Sequence, residues 1–332
     1  MPKLLDCTLR DGGYVNDWNF GEKSIRTIKE NIEQSGIEII EVGFLKAVEK
    51  YDPNRTLFPG VEWAEHPIYP KKEGVTYCIM VDAPIPFPIQ YVQDRNERGV
   101  DAIRIIVWRE KVDECIEYSK KLIEKGYQVF IQPARVSQYS MSEFIQLITK
   151  FNAIGITAFY VVDSWGTLDS FDISKYMWWG RQYLNDNIQL GYHGHNYKQK
   201  ALSCAESILE HNKDIILDCS IYGMGRDAGN LNTELILDHL NKRYGKNYNL
   251  KPILSAYSNC IKGENDKFDW GYSMEHFITA MFNCNTRYIN YIMENEVIPM
   301  DKIYDIFEKM TEKQRIDYSE SLIKELIYDA RS

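Results

Sequence analysis

Eight short apolar runs recur through the first two-thirds of the chain, at residues 3–7, 38–44, 76–81, 102–108, 128–132, 158–162, 189–193 and 215–221. Each is rich in β-branched or aromatic residues and nearly continuous in apolar character. That pattern suits strands covered on both faces in a parallel sheet. Between them lie amphipathic helices predicted at 22–35, 112–125, 142–151, 176–184, 198–211 and 233–244. Gly36, Gly99, Gly126 and Gly155 stand where helices are expected to end. The stretch 46–74 is rich in proline and aromatic residues and lacks helical period, so it reads as an elaborated loop with a short helix.

Eight such units in about 250 residues match the size of a closed (β/α)8, or TIM, barrel. Periodicity alone does not separate a closed sheet from an open, doubly wound one. After Gly245 no further apolar run of strand character follows. Residues 272–291 are aromatic and helical, and 300–330 alternate charges at helical spacing. The expected organisation is an α/β barrel over 1–245 and a helical C-terminal extension over 246–332.

A formal charge of −9 argues against a non-specific nucleic-acid binder, which needs a basic surface. It does not exclude anionic substrates, because arginines can cluster locally. The seven cysteines are scattered without CxxC spacing, and Lys3 and Asp6 interrupt the opening apolar residues. Reduced thiols in a cytoplasm, no signal peptide and no membrane span are the expectations.

Three motifs fall at strand ends, where such barrels build their active sites. His193-Gly194-His195-Asn196 ends the seventh run, and in extended backbone residues i and i+2 point the same way. Two of only six histidines therefore face one point, which favours a shared metal ion over two unrelated imidazoles. Thr8-Leu9-Arg10-Asp11-Gly12-Gly13 ends the first run. In a closed barrel only the eighth strand separates the first from the seventh, so Asp11 can complete a mixed oxygen and nitrogen set suited to Mn²⁺ or Mg²⁺. Arg10 would add a fixed positive charge beside it. The third motif runs from Gly223 to Asn230 after the last strand. Its position and spacing are wrong for a dinucleotide loop, but it can wrap the site and bring the Asn230 oxygen to the metal.

Taken together and in this order, the three motifs resemble the metal-dependent superfamily of hydroxymethylglutaryl-CoA lyase, isopropylmalate synthase and 4-hydroxy-2-oxovalerate aldolase, over about residues 3–245. The resemblance implies Asp11, His193, His195 and Asn230 as metal ligands, Arg10 as the arginine that steadies an enolate oxygen, and Glu41 as a carboxylate shaping the pocket. Val162-Asp163-Ser164-Trp165-Gly166 is similar to the aldolase branch and implies Asp163 and Ser164 at the substrate. Gln132 and Arg135, at the end of the fifth run, could meet a carboxylate or phosphate. One departure stands out: the aldolases place a histidine base three residues after the metal aspartate, and here that position is Tyr14. A phenol is a weak base at neutral pH, so Tyr14 is expected to act as an acid or proton relay.

The implied reaction makes or breaks a bond between a pyruvate-like 2-oxo acid enolate and an aldehyde, with the ion as Lewis acid. The alternative is an acyl-CoA-dependent Claisen condensation, as in the isopropylmalate and homocitrate synthases. Expected partners are small molecules, with no nucleic acid and no membrane. The resemblance leaves open a homo-oligomer and an acylating aldehyde dehydrogenase partner. Elsewhere Trp178-Trp179 reads as helix packing, residues 277–291 with His276 and Tyr288 as core of the extension, and Lys71-Lys72 as an exposed charge pair.

Overall fold

The computed structural model describes residues 1–82 and 87–331. Eight parallel strands form its centre: β1 Lys3–Asp6, β2 Ile39–Leu45, β3 Thr76–Asp82, β4 Ala102–Val107, β5 Gln128–Pro133, β6 Ala158–Asp163, β7 Gln189–Gly194 and β8 Ile215–Cys219. Each pairs with its sequence neighbour, and β1 pairs with both ends of the series. It meets β2 through Leu5↔Ile39 and Asp6↔Ile40, and β8 through Lys3↔Ile216 to Asp6↔Cys219. Those two ladders close the sheet, which settles the barrel against the open alternative.

Alternation of side chains along each strand then builds two cores. Leu5, Ile39, Cys78, Phe130, Tyr160 and Ile216 fill the barrel interior. The intervening residues, such as Ile40, Ile79, Ile103, Val161 and Leu190, face the surrounding helices. This is why the runs read as continuously apolar. The interior leaves little room: a Cβ on Gly191 would lie 2.5 Å from the Tyr160 ring, so only glycine fits opposite that tyrosine.

The covering helices are α1 Glu22–Ser35, α2 Val112–Glu124, α3 Met141–Asn152, α4 Ser170–Tyr183, α5 Ala201–His211 and α6 Thr233–Tyr244. The start of α3 is fixed by a capping box between Ser140 and Glu143. The α4 helix begins six residues before the sequence expectation, because the Asp169 side chain caps the N–H groups of Phe171 and Asp172. Phe171 is 71% exposed on that first turn, which hid its helical period. Two units depart from the repeat. Residues 46–74 hold a two-residue strand, Leu57–Phe58, and only short helical turns, as expected of a loop. After β3 the described residues contain only the turn Ile89–Tyr91, so Gly99 lies in a loop and ends no helix. Lys71 is not part of an exposed pair either; it is ion-paired to Asp101 at 2.7 Å and mostly covered.

Beyond α6, α7 Leu250–Ala256 packs on α1 and shares the barrel's apolar core through Ile253 and Ala256. The helices α8 Met274–Met281, α9 Thr286–Asn295, α10 Met300–Lys309, α11 Glu312–Ile316 and α12 Glu320–Arg331 gather around a second core containing Tyr288, Ile289, Phe307 and Ile323. No strand follows β8 among the described residues. No helix there is long and apolar enough to cross a membrane. All seven cysteines are free.

Candidate active site

Strand alternation dictates where the functional groups point. Gly191 and His193 share the inward face of β7, and His195 follows in the same phase just past its end. Glu41, Arg104, Gln132 and Asp218 are inward by the same count on β2, β4, β5 and β8. The turn after β1 is held tightly: the N–H groups of Arg10 and Asp11 both bond the Cys7 carbonyl, at 3.1 and 2.8 Å. Thr8 Oγ1 accepts the Ile221 N–H at 2.9 Å, and Thr56 Oγ1 donates to the Leu9 carbonyl at 2.7 Å. These bonds carry Arg10 and Asp11 over the open end of the barrel.

Asp11, His193 and His195 converge there, all buried, with one possible ligand atom from each lying within 4.8 Å of the others. His193 Nδ1 is 2.9 Å from Asp218 Oδ2, which leaves Nε2 for a cation. His195 Nδ1 is buried without a partner. Burial drives the His195 pKa down to about 3 against the pull of Asp11, so the imidazole is neutral and able to ligate. Burial alone would raise the Asp11 carboxyl, but the charge of Arg10 and the nearby imidazoles hold it well below the ordinary range. Asn230 is brought alongside by a backbone bridge to His195. Its Nδ2 donates to Asp11 Oδ2 at 2.6 Å, while its buried Oδ1 has no partner. Gly225 makes room for this pairing, since a Cβ there would lie 2.3 Å from Asn230 Nδ2 and 2.8 Å from Asp11 Oδ2.

Behind the candidate ligands runs a buried ionic chain that sequence reasoning missed. Arg10 Nε donates to Glu41 Oε2 at 2.7 Å, and its Nη1 to Asp11. Arg104 donates to the same Glu41 oxygen at 2.8 Å and to Asp218, which in turn meets His193. Three carboxylates face two guanidiniums, leaving one excess negative charge among buried side chains. Together with the orphaned His195 nitrogen, that excess fits a divalent cation. A signal for the missed pair was present: Arg104 and Asp218 are charges inside apolar runs, and a buried charge demands a partner.

The open end is a cavity of about 230 Å³. Arg10, Asp11, Tyr14, Gln132, Ser164 and both histidines line it, as do Arg135, Arg226 and Arg287. Tyr14 rests edge-on against Trp18, and burial raises its phenol above the ordinary value. Gln132 Nε2 is buried and unpartnered. Three expected residues lie off this wall, one of them Asn230, which lies against Asp11. Glu41 sits behind Arg10, and Asp163 turns into its own loop, where its carboxylate accepts the N–H groups of Thr167 and Leu168 at 3.0 and 3.1 Å. Residues 285–287, expected only as core of the extension, contribute wall as well. Arg226 lies within the glycine-rich motif, but its part in the wall went unrecognised; nothing local marks Arg287, which helix packing brings to the cavity.

Comparison with known proteins agrees with this geometry. Residues 103–259 match the HMGL-like family model. An oxaloacetate decarboxylase from Mycobacterium tuberculosis is 24% identical over 249 residues, covering 73% of this chain and 70% of that protein. A 4-hydroxy-2-oxovalerate aldolase from Bacillus cereus is 24% identical over 246 residues, covering 72% and 70%. In fold, the N-terminal domain of a candidate aldolase from Bacteroides vulgatus superimposes with a TM-score of 0.73 at 23% identity, over 89% of this chain and 97% of that one. Residues 103–259 of this TIM barrel thus match the HMGL-like model, and relatives named aldolase and decarboxylase support an enzyme role of the aldolase and lyase type.

Proposed function

We propose that this chain is a divalent-metal-dependent aldolase, making or cleaving the bond between a pyruvate-like 2-oxo acid and an aldehyde. The observation that supports it most is the convergence of Asp11, His193 and His195 in a cavity whose wall also carries Arg10 and Tyr14. Asp11, His193 and His195, with Asn230 beside them, would hold Mn²⁺ or Mg²⁺. When bound, the ion supplies Lewis-acid polarisation of the 2-oxo acid oxygens.

The chain's own groups account for the rest. Glu41 and Asp11 grip the Arg10 guanidinium from two sides, so its charge is already in place where the enolate oxygen develops. Glu41 is therefore a positioning residue, and Arg104 positions Glu41 in turn. Tyr14 stays protonated past neutrality, which suits an acid that gives its proton to the aldehyde oxygen as the new bond forms. Gln132 and Ser164 offer polar atoms to the substrate from β5 and the β6 end. Asp163 acts indirectly, by fixing the loop that presents Ser164.

The test is pyruvate release from a panel of 4-hydroxy-2-oxo acids, with Mn²⁺ added and again after chelation. Release that depends on the ion supports the reading. No release from any of them, with no exchange of pyruvate methyl protons in D₂O, sinks it.

A further inference from the structure

The outer part of the cavity is more basic than a single 2-oxo acid requires. One carboxylate is satisfied by one bidentate guanidinium, and Arg10 already stands at the floor. Yet Arg135, Arg226 and Arg287 line the same space, in a chain of net charge −9. They come from three places: the end of β5, the glycine-rich loop after β8, and the second residue of α9.

Each is held as a binding group would be. Arg135 is sandwiched between the rings of Trp108 and Trp165, at 4.7 and 4.8 Å. Its backbone is left-handed, with φ of 57°, and its N–H is fixed by Ser164 Oγ at 2.9 Å. A long side chain keeps that conformation only where its surroundings impose it. Arg287 lies over the Tyr318 ring at 4.1 Å. The Arg226 Nε is buried without a hydrogen-bond partner, although Asp227 Oδ2 lies 3.4 Å away.

Two further observations point to a ligand. Gln132 is 3% exposed, lines the cavity and leaves Nε2 unpartnered. The ten-residue helix α9 begins at the wall, where Asn285 and Thr286 sit beside Arg287, so its positive end faces the same space. The wall's other carboxylate, Asp82, is occupied by the Trp108 indole N–H at 3.0 Å. Burial, and then the Arg226 charge, push Arg135 down to about 10, a strain that a bound anion relieves.

We infer that this outer part is an anion subsite formed by Arg135, Arg226, Arg287 and Gln132, and that the aldehyde handled here carries a carboxylate or a phosphate. The inference rests on the aldolase reading and names its second substrate class. The C-terminal helices then complete the active site, since Arg287 comes from them.

The test uses the full chain with Mn²⁺, pyruvate as donor and matched aldehydes: glyceraldehyde 3-phosphate against glyceraldehyde, and succinic semialdehyde against butanal. The anionic member of at least one pair should show the higher kcat/KM, and which pair does so separates phosphate from carboxylate. Arg287→Gln should lower the anionic-to-neutral ratio by about 10–100-fold, the reach of one charge-assisted hydrogen bond. Arg287 is exposed, so this variant keeps the test decisive if Arg135→Met fails to fold. Equal use of both members, or a ratio unchanged in Arg287→Gln, overturns the subsite. If wild type joins pyruvate to no aldehyde, the aldolase reading fails separately. The subsite is then read by calorimetric titration of inorganic phosphate and of succinate: binding weakened in Arg287→Gln upholds it, and absent or unaltered binding overturns it.

Discussion

His193 and Asp218 meet through Nδ1 and Oδ2 at 2.9 Å inside the barrel, with both side chains buried. The carboxylate, already held by Arg104, requires the proton on Nδ1 and so points the Nε2 lone pair toward Asp11 and His195. Burial would raise the Asp218 carboxyl, but Arg104 and His193 hold it below its ordinary value, so it stays a charged acceptor.

Asp218→Asn removes that charge and lets an amide donate toward Nδ1, which favours the wrong tautomer. The affinity for Mn²⁺ should fall by about 10–100-fold, the usual effect of losing such a partner. Metal titration followed by calorimetry measures it. An unchanged affinity would show that His193 is oriented by packing alone.

Arg104 is completely buried between Glu41 and Asp218, and its guanidinium also lies 4.9 Å from the Tyr160 ring. Arg104→Met leaves two buried carboxylates short of a partner, at a cost of about 3–5 kcal/mol in unfolding free energy. Because the cost comes from uncompensated charge, adding Asp218→Leu should restore part of it. Urea denaturation of the single and double variants decides this. A loss under about 1 kcal/mol in Arg104→Met would mean that water reaches the network.

How far the sequence disclosed this arrangement depended on whether a residue's role was local. The strands were legible because both of their faces are buried, and the histidine pair because i and i+2 on a strand share a face. Closure was not legible, since it lies in the pairing of Leu5 with Asp218, across the whole length of the repeat. The motif around Asp163 marked the right loop but not the direction of the carboxylate, which local backbone N–H groups decide. Arg287 reaches the cavity only because the second core seats α9 against the barrel mouth. No pattern within α9 announces that.

Arg10→Ala should reduce kcat far more than it raises KM, by about 10²–10³, as for a lost oxyanion donor. Glu41 keeps Arg104, so the ionic chain is shortened but not stranded. Asp11 loses a guanidinium that competes with a cation for its oxygens, so Mn²⁺ content should not decline. Elemental analysis beside steady-state kinetics separates the two effects. Parallel loss of metal and activity would make Arg10 a support for Asp11 instead.

Asp6 gives a pH dependence of known sign. Burial raises its carboxyl from 3.8 to about 6, despite bonds from the Thr8 N–H and the Thr233 hydroxyl. Between those values the folded chain binds more protons than the unfolded one, so this group's contribution is greatest below pH 3.8 and is lost as pH rises through 6. The loss is on the order of 3 kcal/mol. Asp6→Asn does not titrate, so its stability relative to wild type should improve from pH 4 to pH 7 and then level off. Urea midpoints across that range test this, and a pH-independent difference would place the Asp6 titration near its unfolded value.

Tyr14 carries the prediction that most divides the readings. Its phenol lines the cavity, with the Arg226 guanidinium 5.9 Å from its ring, and burial keeps it protonated. As the acid for the aldehyde oxygen, it takes part only when the carbon–carbon bond forms or breaks. Enolisation of pyruvate rests on other groups, Arg10 among them. Tyr14→Phe should therefore cut aldol cleavage by about 10²–10⁴, the reach of a positioned acid or base. Exchange of pyruvate methyl protons in D₂O should continue near its original rate. If both reactions fall together, Tyr14 serves enolisation or the shape of the site. If neither falls, the phenol is packing against Trp18, and the acid lies elsewhere on the wall.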